Sequence, residues 1–157
     1  MASRERGSGV VLDDVSKAII EQLQEDGRRA YAAIGKAVGL SEAAVRQRVQ
    51  RLIESGVMQV VAVTDPLELG FARQAMVGIR VNGPMEPVAD ALVELEEVDY
   101  VVVTAGSYDL LVEVVCVSDE HLLEVISSKI RRISGVVATE TFMYLKLRKQ
   151  TYSWGVR

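Results

Sequence analysis

Residues 12–56 read LDDVSKAIIEQLQEDGRRAYAAIGKAVGLSEAAVRQRVQRLIESG, and the spacing of their apolar positions decides how the chain divides. Val15, Ala18, Ile19, Gln22 and Leu23 recur on one helical stripe, with Gln22 at its edge. That spacing predicts a first helix from Asp13 or Asp14, either of which can cap it, to just before Gly27. A second helix over about residues 31–38 turns Ala33, Ile34, Ala37 and Val38 inward. Gly39-Leu40 makes the turn, and Ser41 is a good cap for a third helix. Val45, Val49 and Leu52 follow at i, i+4 and i+7 and must face the other two helices. Gly56 stops the third helix.

The opposite side of that helix carries Glu42, Ala43, Arg46, Gln47 and Gln50, with Arg48 and Arg51 at its flanks. Arginine can fork onto a guanine edge and glutamine onto adenine, and either can hold a phosphate. A compact three-helix unit ending in such a face is what enters a DNA major groove. The candidate DNA-contacting residues are Ser41, Ala43, Arg46, Gln47, Arg48, Gln50 and Arg51. The bland alternative is a solvated helix face, with Arg48 and Arg51 paired to Glu25, Asp26 or Glu54.

Charge narrows this reading. The 157-residue chain has a net charge of −4. Residues 1–65 balance nine Lys/Arg against nine Asp/Glu, so the excess acid lies in the remainder. Attraction to DNA must then come from a local stripe and fall with salt. A hydrophobic fraction of 49% and a charged fraction of 25% fit a globular protein of one or two small domains. The single cysteine, Cys116, rules out an internal disulfide framework, and its alternation within a strand makes it core. No stretch approaches a membrane span. The first ten residues, MASRERGSGV, lack an apolar signal core. A cytoplasmic location is expected.

Beyond Gly56 the period changes. Residues 57–64 (VMQVVAVT) read as a strand, a wing or link, broken by Asp65-Pro66. Strand patterns at 74–81, 100–105, 110–117 and 136–147 enclose helical patterns at 86–97 and from Ser118 or Asp119 to about 133. The order β-α-β-β-α-β predicts a ferredoxin-like fold, with both helices on one side of the sheet. Tyr100–Val103 and Leu110–Val112, then Val114-Val115, are apolar at successive positions, so both faces of the sheet are expected to be greasy. An uncovered face of that kind predicts association between copies, and a symmetric dimer suits a palindromic site. The expected division is a lead-in over 1–11, a helix-turn-helix domain over 12–56, a linker strand and hinge over 57–72, a ferredoxin-like domain over 73–148 and a tail over 149–157. The fold class is α+β, a winged helix-turn-helix domain joined to an effector and oligomerisation domain.

These residues resemble the Lrp/AsnC, or feast/famine, family of transcription regulators. The likeness rests on L-D-x5-I-I-x-x-L-x-x-D-G-R at 12–28, I-G-x-x-V-G-L-S at 34–41 and V-R-x-R-V-x-R-L-x-x-x-G-V at 45–57. It continues with G-x-Y-D-L at 106–110 and I-x-G-V-x-x-T-x-T at 133–141. The resemblance implies dimers that assemble to tetramers or octamers, double-stranded DNA as partner, and an amino acid as effector. One departure is Ala30, where the family commonly has Ser or Thr; alanine cannot cap the second helix, and Arg29 and Tyr31 are left to compensate.

Gly106-Ser107-Tyr108-Asp109 lies between two central strands. Its amides can cradle a carboxylate, and Asp109 can accept an ammonium; equally, the four residues can be a tight hairpin with Tyr108 as core. The resemblance favours the first reading, because the family binds amino acids near this loop at a dimer–dimer contact. Thr139 and Thr141 alternate on one face of the last strand and can add hydroxyls to the same ligand, or serve only as β-formers. The candidate effector residues are Gly106, Ser107, Tyr108, Asp109, Thr139 and Thr141.

No cofactor and no metal site are expected. His121, the only histidine, is expected to be exposed in the first turn of a helix. Haem-pathway decarboxylases resemble this family, but one histidine and no histidine–carboxylate–nucleophile set argue against an enzyme. A low-specificity, nucleoid-compacting protein is the other alternative, against which the balanced charge of the first 65 residues weighs. Tyr152 and Trp154 in the basic tail either dock on a neighbouring subunit or fray.

Overall fold

The computed structural model describes residues 12–151 and 155–156, so Tyr152 and Trp154 lie outside the described residues. The chain separates into two compact units: Val63–Arg148, and a helical unit that ends at Ala62 and also takes the tail from Lys149.

The helical unit contains α1 (Asp14–Glu25), α2 (Tyr31–Val38) and α3 (Glu42–Glu54). Asp13 caps α1 by accepting the Ser16 N–H at 2.8 Å, and Ser41 caps α3 by accepting the Ala44 N–H at 3.2 Å. Each satisfies one of the amides that a helix start leaves unpaired. Ala30 offers α2 no side-chain cap. The core is Ile19, Leu23, Ile34, Val45 and Val49, with Val15, Tyr31, Val38, Leu40 and Met58 packed around it. Ala33 and Ala37, expected inside, are exposed. The buried face of α2 is instead set by Ile34 and Gly35. A Cβ on Gly35 would stand 2.5 Å from the Leu40 carbonyl oxygen, so only glycine lets the turn into α3 close this tightly.

No strand or wing forms over 57–64. The apolar alternation there is real, but the only sheet among the described residues has four other strands. A strand without a neighbour leaves its ladder unpaired and is marginal in water. Val60, Val61 and Val63 are exposed, Val61 at 69%.

The second unit opens with a 3-10 turn at Leu67–Leu69. The strands β1 (Arg73–Val81), β2 (Val98–Val103), β3 (Leu110–Cys116) and β4 (Val136–Met143) follow, with α4 (Glu86–Val93) and α5 (Asp119–Glu124) between them. The order β2-β3-β1-β4 is antiparallel throughout, which is the ferredoxin-like arrangement. Directly opposed residues share a face. Ala75, Val77 and Ile79 of β1 and Leu110, Val112, Val114 and Cys116 of β3 therefore pack together with Val88 and Leu92 of α4 and Leu122, Val125 and Ile130. Both helices cover this one face.

Several boundaries shift for local reasons. α4 stops at Val93 rather than near 97, because tight turns follow (Leu95 N–H to Leu92 O, Val98 N–H to Leu95 O). β2 starts early, at Val98, and carries an irregularity between Val98 and Tyr100. It ends at Val103 because the Thr104 N–H closes the next turn on Asp109 O. The single helix expected to about 133 becomes α-helix to Glu124, a π-turn over Val125–Lys129 and a 3-10 turn over Ile130–Arg132. β4 ends at Met143 rather than 147, because its only partner, β1, begins at Arg73.

The uncovered face is less uniformly greasy than expected. Tyr100 is 50% exposed on this face, and Phe142 is exposed there too. Gln74 interrupts the apolar surface by donating to Glu113 at 2.8 Å. Burial first, then Glu113, pushes the neighbouring Tyr144 hydroxyl up to about 12. The apolar runs of β2 and β3 are thus broken by Glu113 of β3 itself and by Gln74 of β1.

Candidate functional site

The outward face of α3 is the first candidate. Arg46 is exposed, pairs with Glu42 at 2.8 Å and stacks its guanidinium 5.3 Å from the Tyr31 ring centroid. Ala43, Gln47, Gln50 and Arg51 are also exposed, and Gln50 donates to Glu54 at 2.9 Å. Arg48 behaves differently. Half-buried, it donates to Asp13 at 2.7 Å and to the Ser16 hydroxyl at 3.1 Å. The acid that Arg48 finds is thus the cap of α1, not Glu25, Asp26 or Glu54: Glu25 takes Arg29 and Glu54 takes Gln50. Hydrogen bonds from the Ser16 side chain, then Arg48, then the Ser16 backbone hold the Asp13 carboxyl at about 2. Arg48 therefore ties α3 to the start of α1, while Gln47 and Arg46, the latter resting against Tyr31, are exposed.

The loop at 106–109 is the second candidate. The Tyr108 ring lies over Gly78, where a Cβ would come within 2.7 Å of it, and meets Phe142 edge-on at 6.0 Å. Thr104 Oγ1 donates to Tyr108 O at 2.6 Å. Asp109 Oδ2 accepts the Val81 N–H at 2.7 Å, and the Asp109 N–H donates to Ile79 O at 2.9 Å. Asp109 is thus engaged in fixing the turn, which is the structural half of the sequence expectation. Beside it an open cavity of about 320 Å³ is lined by Arg80, Ser107, Tyr108, Ala138, Thr139 and Glu140. Gly106, Asp109 and Thr141 do not line it; Thr141 lies opposite Val77, and Thr139, at the cavity's rim, opposite Ile79, both in the register of the covered face. Arg80 and Glu140 were missed. They are isolated charges in otherwise apolar strand patterns, and only the register of β1 against β4 brings them to one edge.

His121 is half-buried, contrary to expectation. Its Nδ1 accepts the Val117 N–H at 3.3 Å, and its Nε2 faces Glu97 Oε1 at 3.1 Å. Lys129 donates to the same oxygen at 2.5 Å. Burial pushes the Glu97 carboxyl up, but hydrogen bonds from Lys129, the backbone and His121 outweigh it and leave it below its ordinary value. Cys116 is buried as expected, and burial raises its thiol. Among the described residues, no cluster of three or more His, Cys, Asp or Glu could hold a metal, and no helix is long and apolar enough to cross a membrane.

Residues 12–53 match the AsnC-type helix-turn-helix domain, and residues 71–157 match the PF0864 C-terminal dimeric alpha+beta barrel domain. The chain belongs to the Lrp/AsnC family of transcriptional regulators. Among its relatives, the HTH-type transcriptional regulator FL11 of Pyrococcus furiosus is 38% identical over 146 residues, 90% of this chain and 94% of that protein. The structure of Escherichia coli AsnC superposes with a TM-score of 0.79 at 26% identity, covering 91% of this chain and 98% of that one. The transcriptional regulator NMB0573 of Neisseria meningitidis, solved as a complex with L-Met, shares the fold with a TM-score of 0.79 at 21% identity, covering 94% and 97%. Lrp/AsnC membership assigns the helical unit to DNA and the sheet unit to a domain type that is dimeric.

Proposed function

We propose that the protein reads a pseudo-palindromic DNA operator as a dimer, through α3, and that an amino acid bound beside the 106–109 loop adjusts its assembly and its grip on DNA. The observation that carries this reading is the exposed Arg46–Gln47 face on a helix whose start is fixed by the Ser41 cap. Arg46 gives up little by leaving Glu42, since an exposed i,i+4 pair is worth about 0.3–0.5 kcal/mol. A well-made contact to a base edge is worth about 1–3 kcal/mol. DNA therefore outcompetes the intramolecular pair. Ser41, Ala43, Gln50 and Arg51 flank the contact, and Ser41 and Arg51 suit backbone phosphates. Arg48 contributes by holding α3 on α1.

A zwitterion fits the loop cavity. Arg80 takes the carboxylate as a two-pronged donor, Glu140 takes the ammonium, and Ser107 supplies a hydroxyl. The L-Met complex of NMB0573, a fold relative, lends support to a ligand of this class. Exposed Tyr100 and Phe142 on the bare sheet face suit contact between copies, from dimer to tetramer or octamer. The test is selection of duplexes from a random pool, followed by affinity measurements with and without each amino acid. An enriched palindrome whose affinity shifts with one amino acid, and not in Arg80→Ala, is expected. No enriched sequence would overturn the operator reading and favour non-specific compaction.

A further inference from the structure

A cavity of about 410 Å³ belongs to neither of these sites. One wall is apolar: Pro66, Leu69 and Phe71 from the turn that opens the sheet unit, with Val115 of β3. The other wall is acidic: Glu96, Glu97 and Asp99, from the stretch between α4 and the irregular start of β2, with His121 beside them. We propose that this cavity is a binding site for a small organic cation, a primary amine on an apolar body. This site is separate from the loop cavity and does not rest on the operator reading.

Three observations support the assignment. First, the volume lies within the range of small-molecule sites, and the apolar wall with a few convergent polar groups is their usual lining. Second, the charges have one sign and are only partly answered. Lys129 and His121 both engage a single oxygen, Glu97 Oε1. The π-turn over Val125–Lys129, a feature often found at functional sites, carries that lysine. Glu96 and Asp99 are exposed, and among the described residues neither makes an ion pair or side-chain hydrogen bond, although the Glu96 charge does act on Lys129. Third, the Glu97 side chain is only 11% exposed, so burial works against its negative charge. An ammonium group in the cavity adds positive charge beside Glu97 and gives Glu96 and Asp99 a partner, and the phenyl and aliphatic side chains opposite take its carbon body. An anion or a neutral sugar would do neither.

The chain's only histidine reports on the site directly. The imidazole signals of untagged, full-length protein should be followed by NMR during titration with phenethylammonium and, separately, with cadaverine. 3-Phenylpropionate, the same size with the opposite charge, is the control. The expected result is a saturable shift of the His121 ring signals with at least one amine and none with the acid. In the Glu96→Gln/Asp99→Asn variant, whose changes are confined to exposed positions, the amine should bind at least tenfold more weakly. No saturable shift with either amine, an equal shift with the acid, or full affinity in the variant would each overturn the proposal. The readout uses no DNA, so its failure leaves the operator reading intact.

Discussion

The two units are built at different ranges along the chain, and they show opposite surfaces. In the helical unit the helix caps and most polar contacts are short in sequence (Asp13 caps Ser16, Ser41 caps Ala44, and Arg46 meets Glu42), with Arg48–Asp13 the long-range exception. Its core is one small cluster, and its outward face is charged. In the sheet unit the contacts are long: Arg73 lies opposite Cys116, and Ala75 opposite Met143. Its core is larger, and its bare face exposes aromatic rings. A charged face that needs nothing more from its own chain is suited to a polyanion. A sheet that leaves rings in water is suited to another copy. Function divides along the same line as stability.

The largest effect that could break this contrast lies at Gly35. Helix propensity alone would have Gly35→Ala gain about 1 kcal/mol. The Leu40 carbonyl leaves no space for the methyl, so a loss of about 1–3 kcal/mol is expected instead. Thermal unfolding followed by helical circular dichroism decides between the two signs. In the sheet unit, Asp109→Ala strands the buried-edge Val81 N–H and should cost about 1–2 kcal/mol. Denaturant unfolding measures it, and an unchanged midpoint would release Asp109 from its turn-fixing role. A smaller change, in the other direction, is expected from Ala30→Ser. Ala30 already has the extended backbone of a cap, φ −63° and ψ 133°, so a hydroxyl there should gain about 0.5–1 kcal/mol.

Acid should act on the helical unit through Asp13. Its carboxyl titrates near 2 in the fold against 3.8 ordinarily. A depressed carboxylate adds stability that is complete above its unfolded value and lost as pH falls through the folded one. Melting temperature should therefore fall between about pH 4 and pH 2, and Arg48→Ala should flatten that fall. A slope that survives Arg48→Ala would assign it to the Ser16 hydrogen bonds alone.

The same contrast explains what could be read from residues alone. Helix ends at Asp13, Ser41 and Gly56 follow from single side chains and a positive φ, and they stand where the pattern puts them. The βαββαβ order was legible because each element has its own period. What escaped is non-local. The strand pattern at 57–64 has no neighbour to pair with. Arg80 and Glu140 meet only through the β1–β4 register. The Arg48–Asp13 pair joins residues in different helices, so local spacing could not choose Asp13 over nearer acids. His121 was misplaced for the same reason, since Glu97 reaches it from another element.

One measurement bears most directly on the central claim. The affinity of the Arg46→Ala/Gln47→Ala variant for the selected duplex should be compared with that of the unmodified protein, by fluorescence anisotropy, alongside both melting temperatures. Two exposed side chains that read DNA predict an affinity loss of about 1–3 kcal/mol per lost base contact, with melting temperature unchanged. Equal affinity in a variant of equal stability would contradict α3 as the reading helix.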